Sequence, residues 1–203
     1  QAGLALDLAE RRLRGNRYRV PRRVAMHLSH RPRFKDALQQ LAVDTGRSVD
    51  SLQSEAKEIK QELIAIPKSF WIDVMANFNR RLMSLGYESE MVVDQAGLER
   101  VRKIVREYPT ALLWTHKTHV DGFSVYSLFY ENDFPAPHIL GGVNMAFAGL
   151  GFAAKRAGAI FIRRSFQDNP LYKMILRQYL GYLLEKRFPL TWAFEGTRSR
   201  VGK

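Results

Sequence analysis

The sequence predicts an α/β protein, with a mostly parallel sheet flanked by helices and preceded by a helical N-terminal region. Four short apolar segments alternate with amphipathic helical patterns in the second half, which is typical of a parallel sheet. The first 85 residues show helical periodicity alone. With 46% hydrophobic and 26% charged residues over 203 positions, the composition is that of a globular chain with a substantial core.

The elements of the first part are helices separated by short breaks. Asp50 is the expected N-cap of a helix that continues to Pro67, and Ser69 is the expected N-cap of a helix that stops near Gly86. Two further helices are predicted over 4–13 and 34–43, joined by an arginine-rich connector over 11–33.

After residue 86, helices and strands alternate. Asp94 is expected to begin a helix that ends before Pro109, and Pro170 is expected to begin another. Strands are predicted over 110–115, 138–140, 159–162 and 190–194, with a helix over 121–130. The chain therefore divides into a helical accessory region, 1–85, which carries a basic N-terminal segment, and an α/β domain, 86–203.

Charge and cysteine content exclude several classes of protein. The absence of cysteine excludes a disulfide framework, an iron–sulfur centre and a thiol nucleophile, and it fits a reducing compartment. The net charge of +12 is concentrated in residues 1–35, at +8, and in residues 117–203, at +6. This distribution predicts an anionic partner: a phosphate-bearing ligand, a nucleic acid or an anionic membrane surface. No segment predicts a membrane span or a signal peptide.

The first candidate motif runs from His116 to Asp121, between a predicted strand and a predicted helix. A histidine at a strand's carboxyl end can accept a proton near neutral pH, and an aspartate at the helix start can orient it. A competing interpretation makes His116, His119 and Asp121 metal ligands, together with His138. Their spacing differs from the helical arrangement of zinc proteases, so no metal is expected.

Two further motifs follow predicted strands. Arg163 and Arg164 end the strand 159–162, and because strand side chains alternate, only one of them is expected to face a given site. Arginine there suits bidentate phosphate binding. Glu195-Gly196-Thr197-Arg198-Ser199 follows the last strand, and its backbone amides and side chains suit an oxyanion.

The order and content of these three motifs resemble the glycerolipid acyltransferase superfamily. The matching blocks are His-x4-Asp at 116–121, Gly-x-x-Phe-Ile-Arg-Arg at 158–164 and Glu-Gly-Thr-Arg-Ser at 195–199. Gly142-Val143-Asn144 and the segment 165–172 look most like the bacterial membrane-associated glycerol-3-phosphate acyltransferases. Ala193 stands where that family usually has an aromatic residue, and its fourth block is not found before Lys203. The α/β domain is therefore expected to be incomplete at its C-terminus, and the chain to be a piece of a longer polypeptide.

The resemblance implies a role for each matching residue. His116 would be the general base and Asp121 its orienting partner. The acceptor pocket would hold its phosphate through Arg164, with Arg163 as the second candidate. Its other residues would be Phe161, Ile162, Glu195, Gly196, Thr197, Arg198 and Ser199.

The implied reaction is 1-O-acylation of sn-glycerol 3-phosphate in phospholipid synthesis. The co-substrate would be acyl-CoA or acyl carrier protein, and no cofactor is expected. Dihydroxyacetone phosphate and lysophosphatidate are alternative acceptors. The protein is expected to lie peripherally on an anionic membrane surface, at the cytoplasmic face. An alternative from another functional class is a basic membrane- or nucleic-acid-binding module. The arginines of 11–33 lack interleaved aromatic residues beyond Tyr18, and this pattern disfavours nucleic acid as the partner.

Overall fold

The computed structural model describes residues 2–87, 91–118, 120–146 and 149–195, and it confirms the α/β class. Within these ranges, the helices that precede the first strand are α1 (Ala2–Arg14), α2 (Val24–His30), α3 (Pro32–Thr45), α4 (Val49–Leu63), α5 (Ser69–Ser84) and α6 (Gln95–Glu107). The remaining elements are β1 (Ala111–Trp114), α7 (Asp121–Glu131), β2 (His138–Gly142), α8 (Leu150–Ala157), β3 (Ile160–Ile162), α9 (Pro170–Glu185) and β4 (Leu190–Ala193).

The four strands form one sheet in the order β1-β4-β2-β3, and every pairing is parallel. Trp114 is in register with Ala193, and Gly142 is in register with Ile162. The chain continues from these residues into loops at the same edge of the sheet, because parallel strands all end on one side. This edge is where α/β proteins place their ligands.

Helices cover both faces of the sheet, and the strand side chains alternate between them. On β2, Ile139 packs with a cluster formed by α5, α7 and α8, whereas Leu140 packs with the main cluster. That main cluster joins α2, α3 and α4 to α9, with Leu28, Ile59 and Ile175 almost fully buried. The helices α2 to α5 therefore share their core with the sheet. The division at residue 85 stays a prediction.

Most predicted boundaries agree with the structure. Asp94 caps α6, since its carboxylate accepts the Gly97 N–H at 2.9 Å, and α6 ends before Pro109 as expected. Asn169 caps α9 by accepting the Tyr172 N–H at 2.8 Å, with Pro170 as the first helical residue.

Three predicted helix ends were wrong. Ser48, not Asp50, caps α4, because its hydroxyl accepts the Ser51 N–H. At the other end, α4 stops at Leu63 instead of continuing to Pro67. The Lys155 ammonium donates hydrogen bonds to the backbone carbonyls of Gln61 and Glu62 in its last turn. Ser69 is the first residue of α5 and makes no capping hydrogen bond, since the N-cap position belongs to Lys68.

Two helices were not predicted. The connector over 11–33 contains α2, which buries Val24 and Leu28 although arginines surround it. The glycine-rich run near 150 contains α8, bounded by Gly149 and Gly158 with φ of +78° and +115°. Both are short helices whose burial comes from distant segments, so local periodicity did not indicate them.

Candidate active site

The carboxyl edge of the sheet brings the sequence motifs together. His116 follows β1, Asn144 follows β2, Arg163 and Arg164 follow β3, and Glu195 follows β4. The two central loops are joined directly, because the His116 N–H donates to the Glu195 carboxylate at 2.9 Å. The Phe194 N–H extends the ladder by donating to the Trp114 carbonyl at 3.2 Å. The first and third motifs are therefore in contact.

The imidazole of His116 lies beside the carboxylate of Asp121. Nδ1 of His116 is 3.7 Å from Oδ2 of Asp121, which is an ion-pair distance and longer than a hydrogen bond. Their side chains are only 21% and 28% exposed. The Trp114 ring packs edge-on against the imidazole, with ring centroids 5.2 Å apart, and restricts its rotation.

The Asp121 carboxylate is held in place by the turn that precedes α7. It accepts the N–H groups of Lys117 and Thr118 at 2.8 and 2.7 Å and the Thr118 hydroxyl at 3.0 Å. Partial burial by itself raises the pKa of Asp121, but these hydrogen bonds and His116 outweigh it, and the net pKa is lowered. Asp121 is therefore a fixed anion beside Nδ1, where it favours the tautomer with the proton on that nitrogen.

Arg163 faces away from this edge, toward the N-terminal helices. Its Nε donates to the Glu62 carboxylate at 2.8 Å, and its Nη2 reaches the same carboxylate at 2.5 Å. The guanidinium also stacks on the Tyr172 ring at 4.8 Å, while the Tyr172 hydroxyl accepts the Arg163 N–H. The Glu62 carboxylate raises the pKa of Arg163 further, so this arginine is charged and fully engaged.

Arg164 lies on the other side of the strand end and is exposed. Its Nε donates to Oδ1 of Asn144 at 3.1 Å, which links the loops after β2 and β3. Gly142 makes this link possible, because a Cβ there would lie 2.5 Å from the same Asn144 oxygen. Both arginines follow the last residue of β3, Ile162, and only Arg164 is bonded to Asn144.

The remaining predicted site residues divide into two groups. Phe161 and Ile162 belong to β3, and Ile162 packs against the main hydrophobic cluster. His119 and the segment from Gly196 through Thr197 and Arg198 to Ser199 lie outside the described residues. Their roles stay predictions.

The topology separates His138 from the candidate metal set. His138 begins β2 in register with Leu190, and Leu190 pairs with Ala111 at the start of β1. His138 is therefore at the amino ends of the strands, whereas His116 follows the carboxyl end of β1. In the described ranges, no three His, Asp or Glu side chains are grouped as metal ligands.

Comparison with known proteins decides the family. The family model for acyltransferases matches residues 93–203, which is more than half of the chain. The chain belongs to the acyltransferase family. The three sequence motifs had indicated this family.

Two groups of relatives show how far the similarity extends. An acyltransferase of Mycobacterium tuberculosis and one of Mycobacterium bovis are each 33% identical over 170 residues, covering 84% of this chain and 27% of the relative. The glycerol-3-phosphate acyltransferase of Pasteurella multocida is 31% identical over 201 residues, covering 98% of this chain and 24% of the relative. This acyltransferase chain thus spans about a quarter of the length of the curated relatives it matches.

Sequence reasoning missed two residues that position the arginines of the candidate site. Asn144 stood in a motif that carried the resemblance, and its position after a predicted strand was an available signal. Glu62 gave no signal, since it lies 101 residues from Arg163 on a helix of the N-terminal region.

Proposed function

We propose that this acyltransferase esterifies the 1-position of sn-glycerol 3-phosphate, with acyl-CoA or acyl carrier protein as the acyl donor. The observation that carries the proposal is the placement of a histidine–aspartate pair and an exposed arginine at one edge of the sheet. The pair suits a hydroxyl that must lose a proton, and the arginine suits the phosphate of the same acceptor.

The proposed chemistry uses the imidazole twice. With its Nδ1 proton held toward Asp121, His116 takes the acceptor hydroxyl proton on Nε2 while the oxygen attacks the thioester carbonyl carbon. The tetrahedral intermediate then collapses, the C–S bond breaks, and the departing sulfur takes the proton from Nε2. The ester and a free thiol leave, and His116 is neutral again.

Acceptor binding is assigned to Arg164 and not to its neighbour. Arg163 already makes a paired contact with Glu62, whereas Arg164 is exposed and held at the carboxyl edge by Asn144. A guanidinium stays charged through the working pH range and offers a fork that matches two phosphate oxygens. Phe161, Ile162 and residues 195–199 complete the acceptor pocket in this proposal.

The name of the Pasteurella relative supports glycerol 3-phosphate as the acceptor, and dihydroxyacetone phosphate and lysophosphatidate remain the alternatives. We further propose that the enzyme lies peripherally on an anionic membrane at its cytoplasmic face, which the excess of positive charge supports. No helix in the described ranges is both long enough and apolar enough to cross a bilayer.

The test is thiol release from acyl-CoA, and from acyl carrier protein, by the full-length protein with each of the three acceptors. Glycerol 3-phosphate is expected to give the highest kcat/KM. His116→Ala is expected to lower turnover about 10²- to 10⁴-fold with an unchanged circular dichroism spectrum. His119→Ala is the matched control and should have a mild effect. Equal losses of activity in both variants would contradict this mechanism and favour a metal-dependent one. In that case chelation should abolish the activity of the wild-type protein, and added metal should restore it.

A further inference from the structure

A large cleft is lined by none of the residues at the carboxyl edge of the sheet. It has a volume of about 1010 Å³ and runs between the start of α2, the second half of α4 and the segment before α5. On α4 its wall includes Lys57, Lys60 and Gln61, whose spacing places them on one side of the helix. Glu62 leaves α4 in another direction to reach Arg163. The cleft and the Arg163–Glu62 ion pair therefore use different sides of the same helix.

The charge of the cleft has one sign. Five Lys or Arg side chains and one histidine are among the described residues that line it, and no Asp or Glu is among them. The basic lining residues are Arg22, Arg23, His30, Lys57, Lys60 and Lys68. Two acidic groups on the bordering helices are engaged elsewhere, since Glu62 on α4 pairs with Arg163 and Asp73 on α5 pairs with Arg14. The cleft is therefore complementary to an anion.

The rim of the cleft is apolar and exposed. Met26 and Ile66 line it with 44% and 57% of their surfaces exposed, and Phe70 follows at 67%. Phe70 packs edge-on against Trp71, and Trp71 packs edge-on against the exposed Phe152. A soluble anion in the cleft would leave this apolar surface exposed to water. A lipid bilayer would cover it, because a bilayer presents phosphate groups directly above acyl chains.

We infer that this cleft and its apolar rim form the surface by which the enzyme docks on a bilayer, with the phosphate headgroup of an anionic phospholipid in the cleft. The inference rests on the membrane part of the proposed function and gives it a location. Ile66 and Phe70 then lie at the level of the first acyl carbons, while Lys57 and Lys68 reach the headgroups. Aliphatic rim residues favour lipid over a nucleic acid, whose bases stack on aromatic rings and not on Met26 or Ile66.

The experiment measures partitioning of the full-length protein onto sonicated vesicles in a flotation assay. The vesicles are phosphatidylcholine alone, or phosphatidylcholine with phosphatidylglycerol at three to one. The cleft variant is Lys57→Gln with Lys68→Gln. Its matched control is Lys103→Gln with Lys173→Gln, which removes the same charge from exposed positions on α6 and α9.

The cleft variant is expected to bind the anionic vesicles about 30-fold more weakly, at roughly fivefold for each charge removed close to the surface. The charge control should change binding less than threefold, and all forms should bind neutral vesicles weakly. Ile66→Ser with Phe70→Ser should weaken binding about tenfold, whereas the exposed pair Val43→Ser with Leu85→Ser should not.

Equal losses in the cleft variant and the charge control would overturn the inference, because binding would then follow net charge alone. Binding of single-stranded RNA that is lost only in the cleft variant, with no vesicle binding, would assign the cleft to nucleic acid instead. Acyl transfer in detergent separates this inference from the proposed chemistry. The cleft variant should keep its activity there, whereas His116→Ala should lose activity yet float with vesicles.

Discussion

Replacing Glu62 by glutamine removes the negative charge that holds the Arg163 guanidinium against α4. Glutamine keeps the length of the side chain and one acceptor oxygen, so the change isolates the charge. In the wild-type protein, Nε and Nη2 of Arg163 both donate to this carboxylate. The residue after Arg163 is the proposed phosphate ligand, so loss of the pair loosens the strand end from which that ligand projects.

The magnitude follows from the geometry and the exposure of the pair. A charge-assisted hydrogen bond contributes about 1.5–3 kcal/mol when well formed. The side chains of Arg163 and Glu62 are 41% and 30% exposed, so solvent screening reduces the net effect of both bonds to about 1–2 kcal/mol. For a chain of this size that corresponds to a fall in Tm of about 3–6 °C. If half of this free energy is lost from phosphate binding by Arg164, the apparent KM for the acceptor rises about two- to fivefold.

The assay is steady-state thiol release with glycerol 3-phosphate and acyl-CoA varied separately. Glu62→Gln should raise the acceptor KM while kcat and the thioester KM change less than twofold. Glu55→Gln is the control, since it makes the same change on the same helix, where Glu55 pairs with Arg47 at 2.8 Å. It should leave the acceptor KM unchanged.

Two results would refute this reasoning. The first is an equal rise in acceptor KM for Glu55→Gln and Glu62→Gln. The second is an Arg163→Met variant with a much higher acceptor KM than Glu62→Gln, because Arg163 would then touch the phosphate itself. In a double-mutant cycle, the two changes together should cost little more than either alone.

Further predictions concern single residues of the site and the core. Arg164→Ala should raise the acceptor KM about 10- to 100-fold in the same kinetic assay, with partial rescue by lysine; a raised thioester KM instead would move this arginine to the donor side. Asn144→Ala, which releases Arg164, should raise the acceptor KM about fivefold, and a change confined to kcat would contradict that link. Asp121→Asn should lower kcat at least about 10²-fold with little effect on either KM, and full activity would remove Asp121 from the mechanism. Burial lowers the pKa of His138 to about 4, against a smaller opposing effect of the Pro189 carbonyl. As the pH falls, His138 takes up a proton in the unfolded chain before it does so in the folded protein. The contribution of neutral His138 to the free energy of unfolding is therefore fully present above about pH 6.5, and it falls by about 3 kcal/mol as the pH drops to 4. Urea titrations at several pH values in this range should show the decrease in the free energy of unfolding. His138→Leu should abolish the part of the decrease that His138 causes.

The sequence alone was sufficient for the class of fold and for the positions of the candidate motifs, because both depend on local patterns. Alternating apolar strands and amphipathic helices specify a parallel sheet whatever the partners are. A parallel sheet ends on one side, so motifs that follow its strands had to meet there. His116, Asp121 and Glu195 were placed at this edge in this way, and their catalytic and binding roles stay predictions.

Tertiary structure decided which arginine contacts Asn144 at the carboxyl edge and which partner the other arginine has. The partner of Arg163 is Glu62, and no local pattern connects positions 101 residues apart. The same holds for α2 and α8, which are stabilised by burial against distant helices more than by their own propensity. The charged cleft also arises only when the segment before α2 folds against α4. Long-range packing determines these features because their energies come from contacts between segments that the sequence keeps far apart.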